Sequence, residues 1–442
     1  MFEGFVLGVT TLSLYLGLVG AGQAFAGGFI IPHQTARGLG LSNALTAGID
    51  DPSAVYYNPA ALGEVQGDQV LVGGTYINVV NSVENSGRRA VNKHDDNFLA
   101  SLFANYHIPR TDLTVGVGTY TPFGLATSYE TEFTRFAALR SELKTLYVTP
   151  AISWHPSKLF SLGAGFSFVH SSAILSRSLC FAPPGVPDPV TGATGCLTPG
   201  GLFEGKVRIT DSGDAFSYNL GVLVKPHENL KLGFSYRGRA DLRFDHATGK
   251  FGGAFDSSTV RAKIRPVSLP PVVNVGLFWQ INPAWGLEFV YEHVRWSEFQ
   301  KVAATFSPAP IFLPFGVPVT SFNLPQEWTN TSVLRLGSFY RLYENLELRA
   351  GLGLDETPIP AKRLNPTIPG ADILSLNAGL GYRWDKWMMD VAYMAVFYKN
   401  RRVSNLELEG IPATPFPHTG APGRDKYETF NNFVSLTLGY RF

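Results

Sequence analysis

The residues whose chemistry is easiest to predict are two cysteines, Cys180 and Cys196, which lie in one stretch rich in proline and glycine. If the chain is exported, an even number of cysteines permits a disulfide, and this pair would close a loop of moderate size. Two free thiols are the alternative. A pair of cysteines at this spacing is not the pattern of a metal site, so we predict no metal.

The sequence contains no motif that predicts catalysis or cofactor binding. The Gly-x-Ser-x-Gly elbow, the His-Glu-x-x-His zinc motif and the phosphate-binding loop are all missing. Residues 38–42 (GLGLS) resemble part of a dinucleotide-binding loop, but they lack the third glycine and a preceding strand. We therefore predict that the chain is not an enzyme and that it uses no cofactor.

Charged and aromatic side chains share one face of several alternating segments. Arg335 and Arg349 could each pair with the carboxylate of an acidic ligand, or with a glutamate of the chain itself. Phe278 and Phe339 lie on the same face, where a channel for polar solutes has little use for aromatic rings. These four residues are our candidates for a ligand pocket.

The pattern of the segments that carry these residues predicts β-strands. At even positions from 374 to 384 the residues are apolar or aromatic, and at odd positions they are small or polar. About fourteen such segments of roughly ten residues occur, which is the length of a tilted strand that crosses a bilayer. A soluble sandwich or barrel would alternate in the same way. Aromatic residues at the strand ends and connections that alternate between short and long favour a transmembrane antiparallel β-barrel.

Composition supports the membrane interpretation. Only 16% of the residues are charged, whereas 13% are aromatic and 46 are glycine, which suits strands in contact with lipid better than a soluble protein. The net charge of +1 creates no long-range field, so we predict no nucleic-acid partner.

The first 26 residues have the pattern of a signal peptide. An apolar run from Phe5 to Val19 is followed by Ala24-Phe25-Ala26, a small-x-small cleavage sequence. An uncleaved membrane anchor is the alternative. No later stretch has the ~18 apolar residues that a spanning helix needs, so a membrane crossing requires a closed barrel. We predict cleavage near Ala26 and a location in the bacterial outer membrane.

Three segments interrupt or end the alternating pattern. The stretch 305–317 is an apolar loop in which Ile311, Phe312, Leu313 and Phe315 are candidates for capturing an apolar ligand, although the long loops could instead pack together as a lid. Residues 130–143 have apolar residues near helical spacing and predict a short helix. The chain ends in a strand that finishes on Phe442, as expected of a barrel recognised by the outer-membrane assembly machinery.

Residues 27–63 lack the alternation of apolar and polar residues, and this run ends shortly after Asn58-Pro59-Ala60. This run, the stretch 121–127 (TPFGLAT) and the terminal Phe442 resemble the FadL-type outer-membrane transporters of long-chain fatty acids and hydrocarbons. The resemblance covers the whole chain. It implies a signal peptide at 1–26, an N-terminal hatch at 27–63 that plugs the lumen, and a barrel at 64–442 with long extracellular loops.

The resemblance also implies roles for residues of this chain. The expected assignments are the hatch motif Asn58, Pro59 and Ala60, the N-terminal gate Phe29, Ile30 and Ile31, and a third-strand kink at Gly116, Gly118, Pro122, Phe123 and Gly124. The expected function is passive import of a hydrophobic molecule by a monomer in contact with lipid and lipopolysaccharide, with release sideways into the membrane. A general diffusion porin for polar solutes is the alternative.

Overall fold

The computed structural model describes residues 28–85, 87–92, 97–129, 134–136, 138–180, 187, 189–190, 201–403 and 425–442. The predicted signal peptide and Cys196 lie outside these residues. No helix in these ranges is long and apolar enough to cross a membrane.

Fourteen antiparallel strands form one closed barrel. Each strand pairs with its neighbour in chain order, and the last strand pairs with the first from Gln69↔Arg441 to Glu84↔Lys426. The strands are β1 (Gln69–Asn85), β2 (Asn97–His107), β3 (Leu113–Tyr120), β4 (Arg140–Ser157), β5 (Phe160–Cys180), β6 (Glu204–His227), β7 (Leu230–Arg237), β8 (Val272–Asn282), β9 (Trp285–Val294), β10 (Thr331–Tyr343), β11 (Leu346–Asp355), β12 (Ile373–Trp384), β13 (Trp387–Tyr398) and β14 (Asp425–Arg441). The predicted fold class is confirmed.

Apolar and polar residues alternate along the strands because the two faces of the barrel wall meet different surroundings. In β12 the side chains of Leu374, Leu376, Leu380 and Tyr382 are exposed on the outside of the barrel, whereas Ser375 is buried inside. An apolar band outside and a polar interior are characteristic of a barrel that spans a membrane.

The two ends of the barrel differ. At one end, hairpins such as Ser157–Phe160 and Tyr343–Leu346 join neighbouring strands directly. At the other end, long connections carry additional short strands: Arg88–Val91, Gly124–Ser128, Ala240–Leu242, Thr248–Gly253, Thr259–Ile264, Val267–Leu269, Lys301–Ser307, Ile311–Phe312, Val317–Pro318, Ser321–Pro325 and Arg401–Val403. Short 3₁₀ turns also occur there, at Trp296–Glu298 and Ala361–Arg363. These connections form a second apolar core above the barrel.

The N-terminal segment fills the lumen. It contains α1 (Ala36–Gly40), α2 (Ala54–Tyr57) and a 3₁₀ helix at Pro59–Glu64. Residues 28–62 are all buried except the half-buried Asp50. We call residues 28–62 the hatch segment.

The helix predicted at 130–143 is wrong for its last four residues, and residues 130–133 and 137 lie outside the described ranges. Strand β4 begins at Arg140, and its first residues pair with β5 from Arg140↔Ser176 to Leu143↔Ala173. Leu143, one of the apolar residues behind the helix prediction, therefore belongs to an extended strand, where tertiary pairing overrides a weak local preference.

The outward face provides a test of the membrane assignment. Leu376 lies outside near the middle of β12 and is 47% exposed, so Leu376→Arg places a charge in the hydrocarbon layer. We expect this change to lower the free energy of unfolding in phospholipid vesicles by about 2–4 kcal/mol, measured by urea titration. Leu313→Arg in the exposed loop is the matched control and should change it little. Equal effects of the two substitutions would contradict the assignment.

Candidate functional site

The wall of the barrel is interrupted at the third strand. Strand β3 ends at Tyr120, opposite Tyr147, and pairing with β4 resumes at Gly124 opposite Lys144. Three residues, 121–123, therefore face two residues of β4, which is the geometry of a β-bulge. Pairing of β3 with β2 stops one residue earlier, at Thr119.

The N-terminal residues pair with the interrupted strand. The Ile31 N–H donates to the Pro122 carbonyl (2.8 Å), and the Gly124 N–H donates to the Phe29 carbonyl (3.0 Å). Ile30 and Phe123 form an antiparallel bridge. The predicted gate residues thus lie directly against three of the five predicted kink residues, Pro122, Phe123 and Gly124.

Gln34 completes this contact with its side chain. Its amide nitrogen donates to the Thr121 carbonyl (3.0 Å), and its amide oxygen accepts from the Thr121 N–H (3.0 Å). The carbonyl of Gln34 also accepts a hydrogen bond from the Ser101 hydroxyl of β2 (2.6 Å). The hatch segment therefore bridges β2 and the bulge, where the two strands do not pair.

Gly116 and Gly118, the other two predicted kink residues, do not lie at the bulge. They pair regularly with Ala151 and Thr149 of β4. A Cβ atom at Gly116 would lie 2.8 Å from the Val55 side chain of the hatch segment. The glycine at 116 therefore permits close approach of the hatch to the wall rather than a bend of the strand.

A groove lies on the lipid side of the interruption. Its cavity volume is about 260 Å³, and its lining includes Phe98, Ala100, Leu102, Thr119 and Leu146. Ser101, whose hydroxyl binds the Gln34 carbonyl, also borders the groove. The N-terminal part of the hatch segment thus lies directly behind an apolar groove that faces the membrane.

The predicted hatch motif is fixed to the wall. The Asn58 amide donates to the carbonyls of Thr46 (2.7 Å) and Val222 (3.2 Å), and its side-chain oxygen accepts from the Ala60 N–H (3.2 Å). The Ser153 hydroxyl donates to the Ala60 carbonyl (2.8 Å). Asn58 thereby joins the hatch to β6 and caps the 3₁₀ helix that follows it.

Two glycines provide the space for this motif. Gly163 of β5 and Gly221 of β6 face each other in the sheet. A Cβ atom at Gly163 would lie 2.2 Å from the Ala60 nitrogen, and one at Gly221 would lie 2.1 Å from the Asn58 side-chain oxygen. No residue with a side chain fits there without displacement of the motif.

Charged groups fix the remaining parts of the hatch. The Glu288 carboxylate accepts from the Ala47 N–H (2.6 Å) and the Gly48 N–H (2.8 Å). The Arg237 guanidinium donates to the Tyr56 carbonyl (2.9 Å) and lies 4.0 Å from the centre of the Tyr56 ring. These contacts come from β9 and β7, so the hatch is bound on several sides of the lumen.

His33 lies uncharged inside this plug. Burial and, to a smaller extent, the nearby Arg335 lower the pKa of its imidazole from 6.5 to about 3, although the hydrogen bond with Asn43 opposes the shift. The docked hatch therefore takes up no proton at His33 near neutral pH. Because the free imidazole binds a proton below pH 6.5, acidification through that value makes docking less favourable.

The predicted pocket arginines are already paired. Arg335 is 3.1 Å from Glu292 and 3.3 Å from Asp355, and Arg349 is 2.5 Å from Asp390. Both guanidinium groups are buried. A ligand carboxylate would have to break these pairs to bind, so neither arginine is available for it in this arrangement.

The predicted pocket aromatics stack on each other, with ring centres 6.2 Å apart. A Cβ atom at Gly48 would lie 2.6 Å from the Phe278 ring, so Phe278 and Phe339 pack beneath the hatch. None of the four predicted pocket residues borders the apolar cavity described next.

An apolar cavity of about 120 Å³ lies between the barrel and its long connections. Phe29 of the predicted gate borders it, and so does Leu125 just after the bulge. Other lining residues are Leu143, Ile209, Phe244, Phe299, Phe322 and Ile368. Sequence reasoning missed these residues because they come from segments far apart in the chain. Their one shared signal is apolar character in or near long connections.

The Phe29 ring lies among four aromatic side chains. The centre of its ring is 4.8 Å from that of Trp296, 5.3 Å from that of Phe299, 5.6 Å from that of Trp328 and 6.2 Å from that of Phe123. All four are buried.

The predicted capture loop is only partly exposed. Phe312 is buried in the apolar core formed by the long connections, whereas Leu313 and Phe315 are exposed. Ile311 is half-buried. Ile209 and Phe322 belong to the same core and also border the cavity, so apolar surface continues from the loop towards the cavity.

Cys180 is buried at the end of β5 and is disulfide-bonded. Because Cys196 lies outside the described residues, its pairing with Cys180 stays a prediction. Phe442 at the other chain end is 66% exposed, and its ring contacts that of Tyr440 at 5.1 Å.

Comparisons with known proteins agree with this architecture. The profile of the family described as "Outer membrane protein transport protein (OMPP1/FadL/TodX)" matches residues 17–441. Outer membrane protein P1 of Haemophilus influenzae is 22% identical, with 96% of this chain and 97% of the relative covered. The long-chain fatty acid transport protein of Escherichia coli is 22% identical, with 82% and 86% covered.

Solved structures share the fold. A FadL homologue of Pseudomonas aeruginosa superimposes with a TM-score of 0.77 at 20% identity, covering 94% of this chain and all of that one. The toluene transporter TodX of Pseudomonas putida gives 0.68 at 17% identity, covering 91% and 98%. The predicted resemblance and outer-membrane location are confirmed, while cleavage near Ala26 stays a prediction. Because the family profile spans nearly the whole sequence, this chain belongs to the OMPP1/FadL/TodX family of outer-membrane transport proteins.

Proposed function

We propose that this protein imports hydrophobic small molecules across the outer membrane without an energy source. The observation that carries the proposal is the position of Phe29. Its ring borders the apolar cavity, and its carbonyl accepts the hydrogen bond of Gly124 at the interrupted strand. One residue therefore separates an apolar cavity from a break in the barrel wall. The buried hatch segment does not favour the alternative, an open diffusion porin.

The proposed route has three steps. A ligand binds to exposed apolar loop residues such as Leu313 and Phe315, moves into the cavity, and leaves through the groove beside Ala100 when the gate opens. Burial of a sixteen-carbon chain contributes on the order of 12 kcal/mol gross, at about 0.8 kcal/mol per CH₂ group. A site that kept all of this energy would not release its ligand, so gate movement must weaken binding.

We infer that the moving part is short. Residues 29–34 bind the bulge through a few hydrogen bonds, whereas the region around Asn58 is anchored to β4 and β6 and packs on Gly163 and Gly221. Displacement of 29–34 alone would open the wall beside Ala100. The rest of the hatch would stay in the lumen and keep the barrel closed to polar solutes.

Arg177 supports fatty acids as ligands. This residue of β5 is buried, and in the part of the chain that the structure describes its Nε has no hydrogen-bond partner and its guanidinium has no ion pair. It shares the inward face of β5 with Ala173 and Leu175, which border the cavity. An unpaired buried charge is costly, and a ligand carboxylate above the cavity would offset that cost.

The exposed Phe442 supports a further proposal, that the terminal residue serves assembly rather than stability of the finished barrel. Its exposed ring leaves the end of the chain accessible to the assembly machinery. All fourteen strands come from one chain, which supports a monomer in contact with lipid and lipopolysaccharide.

The anchoring of the hatch segment at Asn58 is tested with the double substitution Asn58→Ala and Pro59→Ala. The hatch then loses the bonds to Thr46, Val222 and Ala60, while the strand pairs of the barrel remain. We expect uptake of labelled long-chain fatty acid by cells to fall several-fold, with unchanged heat-modifiable migration of the barrel. Asn345→Ala in an exposed hairpin is the control. Normal uptake by the double variant would argue against an anchored hatch.

The ligand charge is tested with Arg177→Met, which keeps most of the side-chain volume and removes the charge. A hydrogen-bonded charge contributes about 1.5–3 kcal/mol, so fatty-acid affinity of the purified protein should fall roughly tenfold to a hundredfold. Binding of an alkane of equal length should not change. Arg208→Met, on an exposed face of β6, serves as control. Equal loss for acid and alkane would show a packing role instead.

The lateral route is tested with Ala100→Trp, which fills the groove from the lipid side. Because Ala100 does not border the cavity, fatty-acid binding by the purified protein should stay within a factor of about two, while uptake by cells falls strongly. Ala378→Trp on the outer face of β12 is the matched control and should leave uptake normal. Unimpaired uptake in the Ala100 variant would indicate release towards the periplasm.

A further inference from the structure

We propose that a sheet above the barrel binds the phosphate groups of lipopolysaccharide, the glycolipid of the outer leaflet. This sheet, which we call the upper sheet, consists of residues 206–210 of β6 and the short strands Thr248–Gly253, Thr259–Ile264, Lys301–Ser307 and Ser321–Pro325. The inference rests on the outer-membrane location and is independent of the proposed import function.

The two faces of the upper sheet differ in chemistry. The inward face is apolar and buried in the second apolar core, through Val207, Ile209, Phe251, Val260, Ala262, Ala304, Phe306 and Phe322. The outward face carries exposed basic side chains, namely Lys206, Arg208, Lys250, Arg261, Lys263 and Lys301. We call these six residues the basic face. No carboxylate occupies an outward position in these described strands.

The carboxylates close by in the sequence have other partners or lie outside the strands. Glu204 is buried and lies 3.1 Å from Arg135. Asp211 accepts hydrogen bonds from two backbone N–H groups. Asp245 and Asp256 lie in the connections before and after the strand that carries Lys250. Within the described residues, therefore, no member of the basic face forms an ion pair.

The charges of the basic face lie close enough to repel one another. Arg208 lies directly opposite Lys250 in the sheet. Arg261 lies opposite Thr248, which is the next outward position beside Lys250, and Lys263 is the next outward residue after Arg261. Like charges at directly opposite positions destabilise a sheet. A phosphate held between these side chains would replace the repulsion by charge-assisted hydrogen bonds.

The basic face stands above the lipid-facing surface of the barrel. Farther along β6, the outward residues Phe216 and Tyr218 are exposed aromatic side chains, which are typical of the membrane interface. Arg261 is level with Thr210 of β6, because both lie opposite Thr248. Thr210 is about 20 Å from Phe216 along the strand, or roughly 15 Å above it at a strand tilt of about 40°. The charged sugars and phosphates of the glycolipid occupy this zone.

The basic face and the apolar cavity lie on opposite sides of the upper sheet. Ile209, Ile264, Val302 and Phe322 border the cavity from inward positions. Glycolipid on the outer side therefore requires no movement of the hatch segment. Substitutions on the basic face should leave the binding of an apolar ligand in the cavity unchanged.

The test measures binding of lipid A with two phosphate groups to the full-length protein in detergent, by native mass spectrometry. Each basic residue at an anionic lipid surface contributes roughly fivefold to affinity. Arg261→Gln combined with Lys263→Gln should therefore lower the affinity about tenfold to thirtyfold, with unchanged heat-modifiable migration of the barrel. Arg261→Lys combined with Lys263→Arg keeps both charges and should bind the lipid as the wild type does.

Lys158→Gln combined with Lys386→Gln is the matched control for loss of charge. Both lysines are exposed in the short hairpins at the other end of the barrel, so affinity should stay within a factor of about two. The same lipid without its phosphates should bind the wild type at least tenfold more weakly. Equal binding of the two lipids, or unchanged affinity in the Arg261 and Lys263 glutamine variant, would overturn the proposal. Displacement of lipid A by inorganic phosphate at equal concentration would also overturn it, because it would indicate a site for free phosphate.

Discussion

Every backbone N–H and C=O group at membrane depth needs a partner, because lipid supplies none. This constraint governs the third strand, where a bulge at 121–123 removes the regular pairing with β2. Phe29, Ile31 and Gln34 supply the missing donors and acceptors. These hydrogen bonds seal the wall, and in the proposed mechanism the same bonds close the gate. Displacement of the N-terminus would leave unpaired backbone groups beside the groove, and recovery of those bonds would favour closure once the ligand has left.

The N-terminal residues of the hatch segment, 29–34, are held by fewer contacts than the rest of the segment. Around Asn58 and Glu288, hydrogen bonds to side chains and backbone combine with close backbone packing, and several strands contribute. Residues 29–34 are held by hydrogen bonds to the bulge, to Ser101 of β2 and to a few residues of the hatch segment itself, and by ring contacts. Regions with few cooperative contacts open at lower free energy than regions fixed on several sides. In the proposed route, this difference would allow a small movement at the wall without expulsion of the plug, so that polar solutes stay out while an apolar molecule passes.

The sequence predicts the barrel well because its physical cause is simple and periodic. Lipid outside and a polar lumen inside force alternation at every second residue, as in β12. Residues 130–143 show the limit, because their apolar spacing predicts a helix although residues 140–143 pair with β5 as a strand. The site was less predictable. Whether Arg335 faces a ligand or Glu292 depends on register between strands, and the cavity joins Leu125, Ile209 and Ile368 from segments that only the closed barrel brings together. Arg177 carried no local signal at all.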